Sequence, residues 1–139
     1  MDERTRHARR GFGRSVAAWG PAIAWAALIF VLSAQPNLRF APDEGLDFVV
    51  RKLGHMAVFG ILALLLWRAL AATTALRRPW AWALALAVLY AITDELHQAG
   101  VVGREASVAD VGIDAAGALI AVAAVALARP RRARRGLSA

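Results

Sequence analysis

Thr93-Asp94-Glu95-Leu96-His97-Gln98 closes an apolar run that opens at Trp80, and Arg104, Ser107, Asp110 and Asp114 follow within a few residues. The run from Trp80 to Ile92 is too short to cross a bilayer, because about 30 Å of hydrocarbon takes about 20 helical residues at a rise of about 1.5 Å each. A spanning helix must therefore continue through Gln98. On the other side, an apolar helix from Val108 to Leu127 has spanning length only if Asp110 and Asp114 lie inside it. Length alone thus places several carboxylates within membrane segments. Such groups cost about 2.5 to 3.5 kcal/mol each at a helix centre, and they are functional candidates by default.

The composition agrees with a membrane protein. The 139 residues are 59% hydrophobic, with a mean hydropathy of +0.49, as expected of one small integral membrane domain. The absence of cysteine excludes disulfides, thiolate metal sites and a cysteine nucleophile. A net charge of +7 does not point to nucleic acid, since no recognition motif accompanies it and the arginines gather at the two tails and in one loop.

Four hydrophobic runs predict an all-α bundle of four transmembrane helices. The membrane domain, residues 16–128, lies between a disordered basic arm, residues 1–15, and a basic tail, residues 129–139. The first helix covers Val16 to Leu32. It resembles a signal-peptide core but ends in Ser33-Ala34-Gln35-Pro36 without a cleavage site, so it is read as uncleaved. The second runs from about Lys52 to Ala72, with Leu46 to Val50 as a short interfacial lead-in. Pro79 and Trp80 open the third, Ser107 is the N-cap of the fourth, and Pro130 ends it.

Sidedness follows from the basic residues. Arg4, Arg6, Arg9, Arg10 and Arg14 precede the first helix, Arg68, Arg77 and Arg78 flank the central turn, and five more arginines lie from Arg129 onward. Only Arg39, Arg51, Lys52 and Arg104 fall on the other side. The positive-inside rule then puts both termini in the cytoplasm, and every acid except Asp2 and Glu3 at or near the outer face.

Depth and periodicity bring the polar residues together. Asp94 lies about 20 Å along the third helix from Pro79, and Asp114 about 10 Å inward from Ser107, so both reach the outer leaflet. Ser107, Asp110, Asp114 and Gly117 share a stripe, as do Asp94, His97 and Gln98, while Lys52 and His55 share a face. Glu95 is rotated about 100° from Asp94, so the two carboxylates do not both point straight at one centre.

Ser33-Ala34-Gln35-Pro36, Lys52-Leu53-Gly54-His55, Asp94-Glu95-Leu96-His97-Gln98, Gly103-Arg104-Glu105-Ala106-Ser107 and Asp110-x-x-x-Asp114-x-x-Gly117 together resemble the VanZ-like family of bacterial membrane proteins. The five motifs stand in order at helix ends and cover nearly the whole chain between the tails. The resemblance implies a four-helix membrane domain in the bacterial cytoplasmic membrane and a cell-envelope role. The family is named after a member associated with low-level resistance to the glycopeptide teicoplanin. Ala99, where a large apolar residue is expected, and Val102, where proline is common, depart from the pattern.

The leading functional expectation is a site for a polar or anionic envelope lipid or cell-wall component. In it Lys52 and Arg104 neutralise charge, His55, Asp94, Glu95, Asp110 and Asp114 orient the ligand or exchange protons, and Gln98 and Ser107 supply hydrogen bonds. One alternative is an intramembrane enzyme using Glu95, His55 and Asp110 in acid–base chemistry on an envelope lipid. Another is a structural subunit of a larger membrane complex, its polar residues serving only as a network between helices. No cofactor is expected. The spacing of Asp94 and His97, with Asp110 added, leaves a single divalent metal as a minor alternative. Ser107 is better explained as a cap than as a nucleophile.

Overall fold

A computed structural model of the protein describes residues 3–36, 41–102, 104 and 106–128, with side chains from Gly13 onward. The described secondary structure is four helices, α1 (Glu3–Ser33), α2 (Glu44–Thr73), α3 (Pro79–Gln98) and α4 (Val108–Ala128). Arg39 and the tail from Arg129 lie outside the described residues. The bounds of α3 and α4 follow the apolar runs closely. The first two helices start earlier than expected.

The backbone of α1 extends to Glu3 through the segment expected to be a disordered arm, and the Glu, Arg and Ala residues there are good helix formers. The extension of α2 has a clearer cause. The Asp43 side chain accepts the amide of Leu46 at 2.8 Å, and Glu44 and Asp47 fall in the first turn, where the helix dipole favours negative charge. Leu46 to Val50 therefore belongs to α2 itself and is not a separate interfacial segment.

Among the described residues, three stretches are long and apolar enough to cross a membrane: Gly13–Ser33, Glu44–Thr73 and Val108–Ala128. The sequence reading expects four. The difference is α3, which puts Asp94, Glu95 and Gln98 within a helix of only 20 residues.

Cross-contacts fix the directions of the helices. Trp25 Nε1 donates to the Val58 carbonyl at 2.9 Å and Trp19 Nε1 to Thr73 Oγ1 at 3.0 Å, so α1 and α2 run antiparallel. Lys52 meets Asp110 and His55 meets Asp114, so α2 and α4 run parallel. Tyr90 OH donates to the Ala26 carbonyl at 2.6 Å and Ser33 Oγ to Asp94 Oδ2 at 2.8 Å, which makes α1 and α3 parallel as well. The ends of α1 and α3 and the starts of α2 and α4 consequently share one end of the bundle.

Small residues set the spacing. Ala83, Ala87 and Ala91 form a buried stripe on α3, one per turn. On α4 a Cβ added to Gly117 would stand 2.6 Å from the Met56 Cα, and one added to Gly60 on α2 would stand 3.2 Å from the Gly117 carbonyl oxygen and the Ala121 Cβ. Side chains between helices in a membrane gain little from leaving lipid, so association relies on such close van der Waals approach. Larger apolar side chains, including Leu28, Phe30, Val31, Ile61, Leu89, Leu119 and Ile120, point outward.

Gly117→Ala pushes α2 off α4, and the expected loss is about 1–3 kcal/mol, read as a lower unfolding midpoint in detergent. Gly54→Ala, where the added Cβ meets nothing within 4 Å, serves as the control and leaves the midpoint the same or slightly higher, because alanine favours a helix over glycine. Equal midpoints for both variants would contradict the close crossing.

Candidate functional site

The face of α3 that is alanine for three turns ends in acids and an amide. Asp94, Glu95 and Gln98 are 3%, 4% and 1% exposed, so the stripe that lets helices approach also carries the buried polar groups. Because Asp94 and Glu95 are successive residues, their side chains leave the helix about 100° apart and find different partners. Asp94 turns to α1: its Oδ2 accepts from Ser33 Oγ at 2.8 Å and from Gln98 Nε2 at 2.7 Å. Gln98 Nε2 also reaches Ser33 Oγ at 3.2 Å.

Glu95 turns to the start of α4. Its Oε1 accepts the amide of Ser107 at 2.8 Å. Ser107 stands immediately before α4, as expected of an N-cap, and its carbonyl accepts the amides of Asp110 at 3.0 Å and Val111 at 3.3 Å. A helix start leaves amides without intrahelical partners and carries partial positive charge, and a carboxylate answers both needs.

The third arrangement joins α2 to α4. Lys52 Nζ pairs with Asp110 Oδ1 and lies 5.1 Å from the Phe48 ring centroid. One turn deeper, His55 Nδ1 lies 3.1 Å from Asp114 Oδ1, and Asp114 is 1% exposed. A spacing of three residues on α2 matches one of four on α4, so both pairs form in the same parallel register.

Arg104, in the loop between α3 and α4, has one hydrogen bond among the described residues, from Nη1 to the Ser33 carbonyl at 3.4 Å. It has no carboxylate partner there. These sets are neighbours: Glu95 lies within electrostatic reach of Asp110, Asp114 and His55, and His55 within reach of Arg104 and Asp94. Lys52, His55, Asp94, Glu95, Gln98, Arg104, Ser107, Asp110 and Asp114 thus gather at one end of the bundle.

Two of the alternative groupings show no direct contact among the described residues. Glu95, His55 and Asp110 each bond to a partner outside that trio, so no direct acid–base pair links them. Nor do Asp94, His97 and Asp110 converge as metal ligands. The His97 ring stacks on Phe30 with centroids 4.1 Å apart, Asp110 is held by Lys52, and no group of three ligating side chains occurs among the described residues. Asp94 Oδ1 and His97 Nε2 are buried without a hydrogen-bond partner among the described residues.

Sequence reasoning missed Ser33 and Asp47. Ser33 lies in the quoted Ser33-Ala34-Gln35-Pro36 motif, and its place one residue from the end of an apolar run was the available signal. Asp47 is buried, with Oδ2 at 3.1 Å from Arg51 Nε and Oδ1 accepting the Ala41 amide at 3.2 Å. The i, i+4 spacing to Arg51 was legible, but nothing in the sequence showed the loop folding back.

A double-mutant cycle with His55→Ala and Asp114→Ala should give a coupling of about 0.6 to 1.7 kcal/mol, between the mean and the maximum found by such cycles for interhelical hydrogen bonds in membranes. Additive losses in reversible unfolding from mixed micelles would contradict the contact.

A family model described as VanZ/LLP1 matches residues 18–129, from the first helix past the end of the fourth and across every residue of the polar end. No curated protein and no solved structure matches the chain. The match spans most of the sequence, and the chain belongs to the VanZ/LLP1 family.

Proposed function

We propose that the protein crosses the bacterial cytoplasmic membrane four times with both termini in the cytoplasm, and that its polar end binds an anionic or polar envelope component, a lipid or cell-wall precursor, from the outer side. Four crossings are supported by the length of α3, about 30 Å for its 20 residues, and by the exposed Leu86, Leu89 and Ile92 on it. Sidedness rests on the asymmetry of the arginines.

The observation that carries the binding reading is Arg104. Lys52 and Arg51 are each paired with a carboxylate, whereas Arg104, among the described residues, spends one long hydrogen bond on a carbonyl and retains donors suited to a phosphate or carboxylate. The polar pairs around it hold the loop and the helix starts in place. A link to teicoplanin-type susceptibility is part of this proposal and rests on family membership.

Arg104→Ala removes the anchoring cation, while Glu95→Gln keeps an acceptor for the Ser107 amide and removes the charge. In a strain dependent on this protein for teicoplanin tolerance, Arg104→Ala should reduce tolerance to that of cells lacking the protein, at unchanged membrane abundance, and Glu95→Gln should retain an intermediate level. Full tolerance with Arg104→Ala would refute the anchoring role.

One observation favours a second reading, acid–base chemistry on an envelope lipid. The contact between His55 Nδ1 and Asp114 orients the imidazole as a carboxylate orients a general base. In that case His55 is the base, and Glu95 and Asp110, already engaged, are not. Turnover of a lipid-linked substrate by purified protein, abolished by His55→Gln, distinguishes this reading from binding alone.

A further inference from the structure

The opposite end of α2 holds a different feature. A groove of about 510 Å³ is lined by Leu64, Trp67, Arg68, Ala71 and Ala72 of α2 and Val125 of α4. Arg68 lies about 20 Å beyond His55 along α2, so this groove is separate from the polar end. Both of its walls belong to helices long and apolar enough to span a membrane. Its surface is hydrocarbon and indole except for one guanidinium.

The state of that guanidinium limits the occupant. Arg68 Nη2 donates to the carbonyls of Ala17 at 3.1 Å and Ala18 at 3.5 Å, which holds the group at the groove, while Nη1 and Nε have no acceptor among the described residues. An apolar wall gives a soluble anion nothing to pack against. A fixed cation gives a purely apolar molecule nothing to neutralise. A membrane lipid with a phosphate head and an acyl chain satisfies both, and it is already concentrated in the plane of the helices.

We propose that this groove is a binding site for an anionic phospholipid, with the phosphate on the free edge of the Arg68 guanidinium and an acyl chain against Trp67, Ala72 and Val125. Arginine presents a planar fork matched to phosphate oxygens. Arg77 and Arg78, in the turn that follows α2, add positive potential at this end and favour a head group of net negative charge over a zwitterion. The volume falls within the range of about 300–1,000 Å³ usual for ligand sites.

Simple snorkelling of Arg68 toward the interface makes a different prediction, since it requires neither a groove nor a preference among lipids. Native mass spectrometry of the full-length protein in detergent, with phosphatidylglycerol and phosphatidylcholine of identical chains added in equal amounts, separates the two. The expected result is a several-fold preference for phosphatidylglycerol, set by the net positive charge at this end, and a loss of about tenfold in retention of both lipids with Arg68→Gln, the size of one charge-assisted hydrogen bond to the phosphate they share. Ala72→Phe fills the groove from an exposed helix position and leaves each Arg68 hydrogen bond in place, so it tests the site even if Arg68→Gln loosens α1. It should lower retention of phosphatidylglycerol by a similar factor. Equal retention of both lipids by the unaltered protein, or unchanged retention with Ala72→Phe, would overturn the proposal.

Discussion

The close parallel crossing of α2 and α4 is the constraint on which the polar end depends. Gly117 leaves no room for a side chain beside the Met56 backbone, and this contact fixes how far and in what register the two helices meet. Once Met56 faces Gly117, His55 is brought to Asp114, and the turn before it brings Lys52 to Asp110. The polar pairs follow from a steric contact, which hydrocarbon surroundings make more decisive than any gain from burying apolar area.

The same economy of space shapes α3. Alanines at positions 83, 87 and 91 let this helix lie close to its neighbours, and an acid on that face has no exit to water. Asp94 and Glu95 are accommodated because successive residues diverge. One carboxylate is satisfied from α1 and Gln98, the other by the amide at the start of α4. Neither acid could take the partners of the other without rotating the helix and breaking the alanine contact. Helix packing and polar satisfaction are therefore two consequences of one stripe.

Much of this was legible in the sequence, and the limits have physical causes. Helix number, the bounds of α3 and α4, and the collection of charge at one end followed from the length of apolar runs and a rise of about 1.5 Å per residue. Periodicity also showed that Asp94 and Glu95 would diverge. It did not show which helix each would meet, because a stripe gives a direction relative to its own axis and not the identity of the neighbour. The pairing of His55 with Asp114 required the parallel register, and the burial of Asp47 required the fold-back at Ala41. His97 was drawn toward the acids by its spacing from Asp94, yet Phe30 offered its ring a stacking partner on another side. The early start of α2 was within reach, since Asp43 followed by Glu44 and Asp47 is a capping pattern, but the sequence reading opens the helix only at about Lys52.

The distribution of charge also bears on how a ligand would be received. Taking the partner from a buried polar group leaves that group unsatisfied, at a cost of about 1–3 kcal/mol. A ligand that had to displace Lys52 from Asp110, or His55 from Asp114, would meet a penalty of that kind before gaining any contact. Arg104 avoids it. It sits on a loop beside the paired groups, and its hydrogen bond to the Ser33 carbonyl at 3.4 Å is long enough to exchange for a stronger acceptor. The paired residues then act as a rigid frame: Glu95 fixes the start of α4, the two α2–α4 pairs fix its register, and Asp94 ties Ser33 in place under the guanidinium. Binding at such an end would reorganise one side chain in a loop and leave the helices where they are.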